Sequence, residues 1–119
     1  MKPFIRISAG LTLACGLFAS TAHADAPAAF AACGACHSAD GTNGLGPSLK
    51  GVYGRKAGTA KGFTYSPAMK RAGVTWDDTT LDAFITDPQK SVAGNVMPFP
   101  GLADAKQRAE IIDYLKTVK

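Results

Sequence analysis

The chain has 119 residues, 46% of them hydrophobic and 18% charged, with a formal net charge of +4. That length and balance allow one small globular domain and exclude a membrane-spanning or disordered chain. Lys and Arg occur singly and not as a stripe with interleaved aromatics, which sets nucleic acid aside as a partner.

The first 24 residues, MKPFIRISAGLTLACGLFASTAHA, have the three parts of a secretory signal: Lys2 and Arg6, a short apolar core from Ile7 to Phe18, and small residues at Ala22 and Ala24. A cut after Ala24 leaves residues 25–119 as the single mature domain. The apolar run is too short for a comfortable span, so the expectation is no stable membrane insertion. The minor alternatives are a retained anchor facing the periplasm and lipidation at Cys15. Removing Lys2 and Arg6 leaves 11 basic against 9 acidic residues, a charge of +2 in place of +4. Cys15 and His23 leave as well. The mature chain then has one histidine, His37, and two cysteines, Cys33 and Cys36, all within CGACH.

Three chemistries compete for that motif. Structural zinc wants four Cys or His ligands, and only three remain. A dithiol oxidoreductase normally carries its CxxC after a strand, whereas DAPAAFAA reads as a helix start from Asp25, with Pro27 in the first turn. C-x-x-C-H is also the attachment signature of haem c. Two thiols three residues apart on a helical turn reach one edge of one porphyrin, and His37 follows as the proximal iron ligand. A small chain rich in glycine gains from a covalent macrocycle much of the core it lacks.

Further along, YSPAMKRAG is a short helix from Pro67 to Ala72, with Ser66 as cap and Gly73 as stop. A third helix, Thr79 to Thr86, follows Asp77 and Asp78 and stops before Pro88. SVAGNVMPFPGL is a Pro- and Gly-rich loop without periodicity, suited to delivering a side chain. Met97 there is a better sixth iron ligand than Met69, which reads as core filler. The last helix, Asp104 to Val118, presents Ala109, Ile112, Leu115 and Val118, widened by Ile111 and Tyr114. The expectation is an all-α fold of about four short helices and Gly/Pro-rich loops around one haem.

From Cys33 onward the chain resembles a small class I cytochrome c. GPSLKGVYGRKAGTAKGFTYSPAMKRAGVTW, TLDAFITDPQKSVAGNVMPFPGL and the final DYLKTVK keep that family's order and spacing. The resemblance implies a cytochrome c fold with one covalent haem c on Cys33 and Cys36 and axial ligands His37 and Met97. It implies that the Pro47 carbonyl accepts the proximal imidazole N–H, that Arg55, Tyr65 and Trp76 surround the inner propionate, and that Phe99 shields the haem edge. Departures are Phe84 where many relatives have a tyrosine on the methionine sulfur, Met69 and Asn95 at two pocket-water positions, and Ala26 where a glycine lets the terminal helices cross.

The function implied is that of a one-electron carrier, not an enzyme, exported to the periplasm and monomeric. Its implied partners are a quinol-cytochrome c reductase and a terminal oxidase, a soluble reductase or a photosynthetic reaction centre. Lysines that often ring the family's docking face are replaced by Ala32, Gln89, Val96, Ala103 and Asp104, with mainly Lys90 remaining, so an apolar rim is expected to dock. The alternative function is a haem-based peroxidase or gas sensor in which Met97 is displaceable.

Overall fold

A computed structural model of the chain describes residues 24–119. Residues 1–23, which hold Cys15 and all but the last residue of the expected signal, lie outside the described residues. A 3-10 turn, Ala28–Phe30, leads into α1, Ala31–Gly34, followed by α2, Pro67–Arg71, α3, Asp78–Thr86, α4, Pro88–Ser91, and α5, Ala105–Thr117. The only extended pairing among the described residues is an isolated antiparallel bridge between Lys56 and Thr75. The all-α class therefore holds, with five α-helices among the described residues where about four are expected.

The additional helix is α4. Pro88 ends α3 because it cannot supply the N–H that a helix interior needs, but its fixed φ suits the first position of a new helix. Asp87 is the C-cap of α3 and the N-cap of α4, its carboxylate accepting from the Lys90 N–H at 3.0 Å. Asp77 starts α3 with a reciprocal box: its Oδ1 accepts from the Thr80 N–H, and Thr80 Oγ1 accepts from the Asp77 N–H, both at 2.8 Å. Ser66 caps α2 through the Met69 N–H, and Gly73 just beyond it takes φ +69°. Asp104 lies outside α5 as its cap.

The N-terminal helix departs from expectation. Asp25 does not cap it; Pro27 occupies the cap position with no side-chain bond, and the first turn is 3-10. Residues 35 and 36 are a turn, although the His37 N–H still donates to the Cys33 carbonyl at 2.9 Å. Phe30 and Tyr114 meet edge to face at 4.8 Å, where the N-terminal segment packs on α5. Ala26 takes no part in that crossing: it is exposed and precedes the helix.

The core joins Phe30, Val52, Ala57, Trp76, Leu81, Phe84, Ile85, Val92, Ile111, Ile112 and Leu115. From α5 it takes Ile111, Ile112 and Leu115, while Ala109, expected on the apolar stripe, is exposed. Arg108 ties α5 to α3: its Nε donates to Asp82 at 2.7 Å and its Nη1 to the carbonyls of Leu102 and Ala103 at 2.9 and 2.8 Å. These contacts hold α3 and α5 to the chain that follows the Met97 loop.

Candidate functional site

Cys33 ends up half-buried, packed against the core cluster, and Cys36 half-buried on the turn that follows. Burial pushes the Cys33 thiol up from its ordinary value. A redox dithiol needs the opposite, a thiol whose pKa is lowered to make thiolate at neutral pH. The environment of Cys33 therefore does not favour thiolate at neutral pH.

His37 is held from two directions. Its Nδ1 lies 2.7 Å from the carbonyl oxygen of Pro47, as expected for that proline. A carbonyl can only accept, so Nδ1 carries the proton and Nε2 of the neutral ring keeps its lone pair for a metal. Gly46, buried, lies against the ring; a Cβ there would stand 2.6 Å from Nδ1. Only a residue without a side chain lets the 46–47 backbone come close enough for this bond.

Met97 is half-buried against the same core cluster as Cys33, together with Met69, Phe99 and Leu102. Its backbone is fastened on both sides. The Met97 N–H donates to Asn95 Oδ1 at 2.9 Å, and its carbonyl accepts from the Phe99 N–H at 2.9 Å. The loop returns to α3 through Gly101, which takes φ +110° and passes the Thr86 carbonyl too closely for any side chain. The next residue, Leu102, donates to the Ile85 carbonyl at 2.8 Å.

Of the trio expected around the inner propionate, Arg55 and Trp76 are joined directly. The Trp76 N–H donates to the Arg55 carbonyl at 3.0 Å, and the Gly54 N–H to the Trp76 carbonyl at 2.7 Å. Trp76 is buried, with Phe84 at 5.0 Å between ring centroids. The Arg55 guanidinium already donates to the carbonyls of Lys50 and Ser48 at 3.0 and 3.1 Å, which uses two of its five N–H groups. Tyr65 makes no hydrogen bond to Arg55 or Trp76; its hydroxyl accepts from the N–H of Ala60, which lines the same cavity as Arg55, at 3.1 Å and keeps its own proton to donate. These donors fit a carboxylate that has to be compensated away from bulk water.

The Asn95 bonds and the exposure of Leu45 escaped the sequence reading, while Val96 was expected on the apolar rim. Asn95, expected only as a pocket position, is buried, and its side-chain amide bonds entirely to backbone. The available signal was local: an Asn two residues before a ligand readily closes a turn on its own backbone. Leu45, 85% exposed, precedes Gly46, and Val96, 76% exposed, precedes Met97. Two large exposed apolar side chains thus stand beside the two segments that carry His37's support and Met97.

The donor set therefore fits a haem: two thiols on one turn, an imidazole with its tautomer fixed, a thioether on a braced loop, and an apolar wall behind them. Comparison with known proteins agrees. A family model described as cytochrome c matches residues 24–119. Cytochrome c2 iso-2 of Magnetospirillum molischianum is 52% identical over 97 residues, covering 81% of this chain and all of that protein. Cytochrome c2 of Rhodoblastus acidophilus is 50% identical over 92 residues, 76% of this chain and 86% of that one. Among solved structures, cytochrome cH from Methylobacterium extorquens has a TM-score of 0.72 at 51% identity, over 75% of this chain and 91% of that chain. The chain belongs to the cytochrome c family and is an electron carrier with covalently bound haem c, not an enzyme.

Proposed function

We propose that Cys33 and Cys36 hold the haem through thioether bonds and that His37 Nε2 and the Met97 sulfur are its axial iron ligands. The observation that carries this reading is the 2.7 Å bond from His37 Nδ1 to the Pro47 carbonyl, which leaves Nε2 as the free donor. When bound, haem c supplies a one-electron ferric/ferrous couple. The chain's own residues do the rest. Pro47 and Gly46 fix the imidazole plane. The 95–101 loop presents the methionine, and with both axial positions filled by side chains, substrate has no coordination site. Arg55, Tyr65 and Trp76 compensate the inner propionate, and Phe99, half-buried two residues after the ligand, covers the haem edge.

In this reading residues 1–24 are an export signal, and the mature monomer works in the periplasm between a quinol-cytochrome c reductase and a terminal oxidase, a soluble reductase or a reaction centre. No helix among the described residues is long and apolar enough to cross a membrane. Docking uses the rim of Ala32, Val96, Phe99 and Pro100, extended by Leu45. Around it Gln89 and Lys90 are exposed, so one lysine of this segment remains to steer partners.

Two measurements on the purified protein test the assignment. Mass spectrometry should give a chain starting at Asp25 with one haem that survives acid-acetone extraction. The ferric protein should show a near-infrared sulfur-to-iron charge-transfer band that disappears in Met97→Ala. A wild type without that band, whose ferrous form binds carbon monoxide, belongs instead to the haem enzymes or gas sensors with an open iron.

A further inference from the structure

Asn95 is 6% exposed, and every hydrogen-bonding group of its amide that has a partner bonds to backbone. Its Nδ2 donates to the carbonyls of Pro88 and Val92 at 2.8 and 2.9 Å, and its Oδ1 accepts from the Met97 N–H at 2.9 Å. The two carbonyls belong to the first residue and the C-cap of α4. One buried side chain therefore joins that short helix to the backbone of Met97.

Gln89, on α4, repeats the link from the outside. Its Nε2 donates to the Asn95 carbonyl at 2.8 Å, and its Oε1 accepts from the Gly94 N–H at 3.3 Å. The two amides together bond Gly94, Asn95 and Met97 to α4, whose Asp87 cap fixes it to α3. Unlike a hydrophobic contact, each of these bonds specifies a direction, so the clamp determines where the Met97 backbone stands as well as how tightly the loop packs.

We propose that Asn95, braced by Gln89, is the positioning residue that holds Met97 in place for the iron and so sets the protein's resistance to outside ligands. The inference rests on Met97 being the sixth ligand. To bind the iron, imidazole has to displace the thioether, and the loop then has to move away from α4. With the clamp intact, that movement leaves the buried Asn95 amide without its Met97 partner. With the amide removed, no such loss opposes it.

The test is imidazole titration of the ferric holoprotein, followed through the near-infrared sulfur-to-iron band. Asn95→Ala should bind imidazole about tenfold to a hundredfold more tightly than wild type, the range expected for losing directed bonds to a buried amide. Gln89→Ala should show a smaller shift of the same sign. Asn95→Asp sets a carboxylate oxygen against the Pro88 and Val92 carbonyls in place of the two donors and should bind imidazole at least as tightly as Asn95→Ala. Hydrogen exchange at the Met97 amide should accelerate in Asn95→Ala. Ile112→Val, which removes a buried methyl from α5 and none of the hydrogen bonds of Asn95 or Gln89, is the control for plain destabilisation: it should lower the melting temperature and leave imidazole affinity unchanged. If Asn95→Ala binds imidazole as wild type does, or Ile112→Val shifts affinity as much, the clamp is structural only and the proposal fails. A wild type lacking the band overturns the ligand assignment and this inference together, which separates the two failures.

Discussion

The backbone of Gly46 lies against the ring of His37, so that a methyl group there would stand 2.6 Å from Nδ1 and 3.0 Å from Nε2. Gly34, between the two thiols, contrasts with it: its Cβ would meet only the Phe30 ring, at 3.7 Å. Gly46→Ala should push the imidazole off the Pro47 carbonyl, lower holoprotein stability by about 1–3 kcal/mol in urea, and shift the reduction potential. Gly34→Ala lies on a helix and should be neutral or stabilising by about 0.5–1 kcal/mol. Equal effects of the two substitutions would contradict the close approach at Gly46.

Arg108 carries three charge-assisted bonds with its side chain 11% exposed, to Asp82 and to the carbonyls of Leu102 and Ala103. Asp82 is itself about half exposed, so most of the cost of losing Arg108 comes from the two carbonyls and not from the ion pair. Arg108→Met should therefore cost about 2–3 kcal/mol by chemical denaturation, against a few tenths for Asp82→Asn. A reversed order would place the energy in the ion pair.

Asp77 and Asp40 should govern part of the acid limb. The Thr80 N–H, then the Thr80 hydroxyl, hold the Asp77 carboxyl below its ordinary value. The Thr42 N–H, with the Ser38 and Thr42 hydroxyls, does the same to Asp40. A carboxyl depressed in the folded state contributes stability that is present above its unfolded value and is lost as pH falls through the folded one. Asn at position 77 can still accept as a cap but does not titrate. Asp77→Asn should thus lose less stability than wild type between about pH 4 and pH 2. Parallel acid limbs in thermal melts would show that the cap does not titrate in that window.

The docking rim leads to a kinetic expectation. With Leu45 and Val96 strongly exposed and Lys90 the one lysine of the segment that carries Val96, electron transfer to the proposed oxidase should depend weakly on salt. Replacing both residues by serine should slow the second-order reaction several-fold at any ionic strength. A steep fall in the wild-type rate from low to high salt would restore electrostatic steering as the main term.

Local patterns carried much of this. Ser66 as a cap, Gly73 as a stop, the acidic start of α3 at Asp77 and Asp78, and the motif CGACH are all short-range signals, because capping and attachment chemistry act across three or four residues, whereas Asp104, expected inside the last helix, is its cap. Pro88 was half legible: proline stops one helix by a local clash, but whether another begins depends on the Asp87 cap and on what α4 packs against. Ala109 shows the limit of periodicity, since a stripe drawn every three residues drifts off a face whose true period is 3.6.

By itself, the sequence determined which side chains are available: one imidazole and two thiols in residues 25–119, and a methionine in a loop too rich in Pro and Gly to be an element. Only the tertiary structure decided how each is held. The close approach of Gly46, the carbonyl that accepts from His37, and the Asn95 amide that fastens Met97 to α4 all join segments by backbone groups. Every residue carries such groups, so no residue type announces them, and their pairing exists only once the chain has folded.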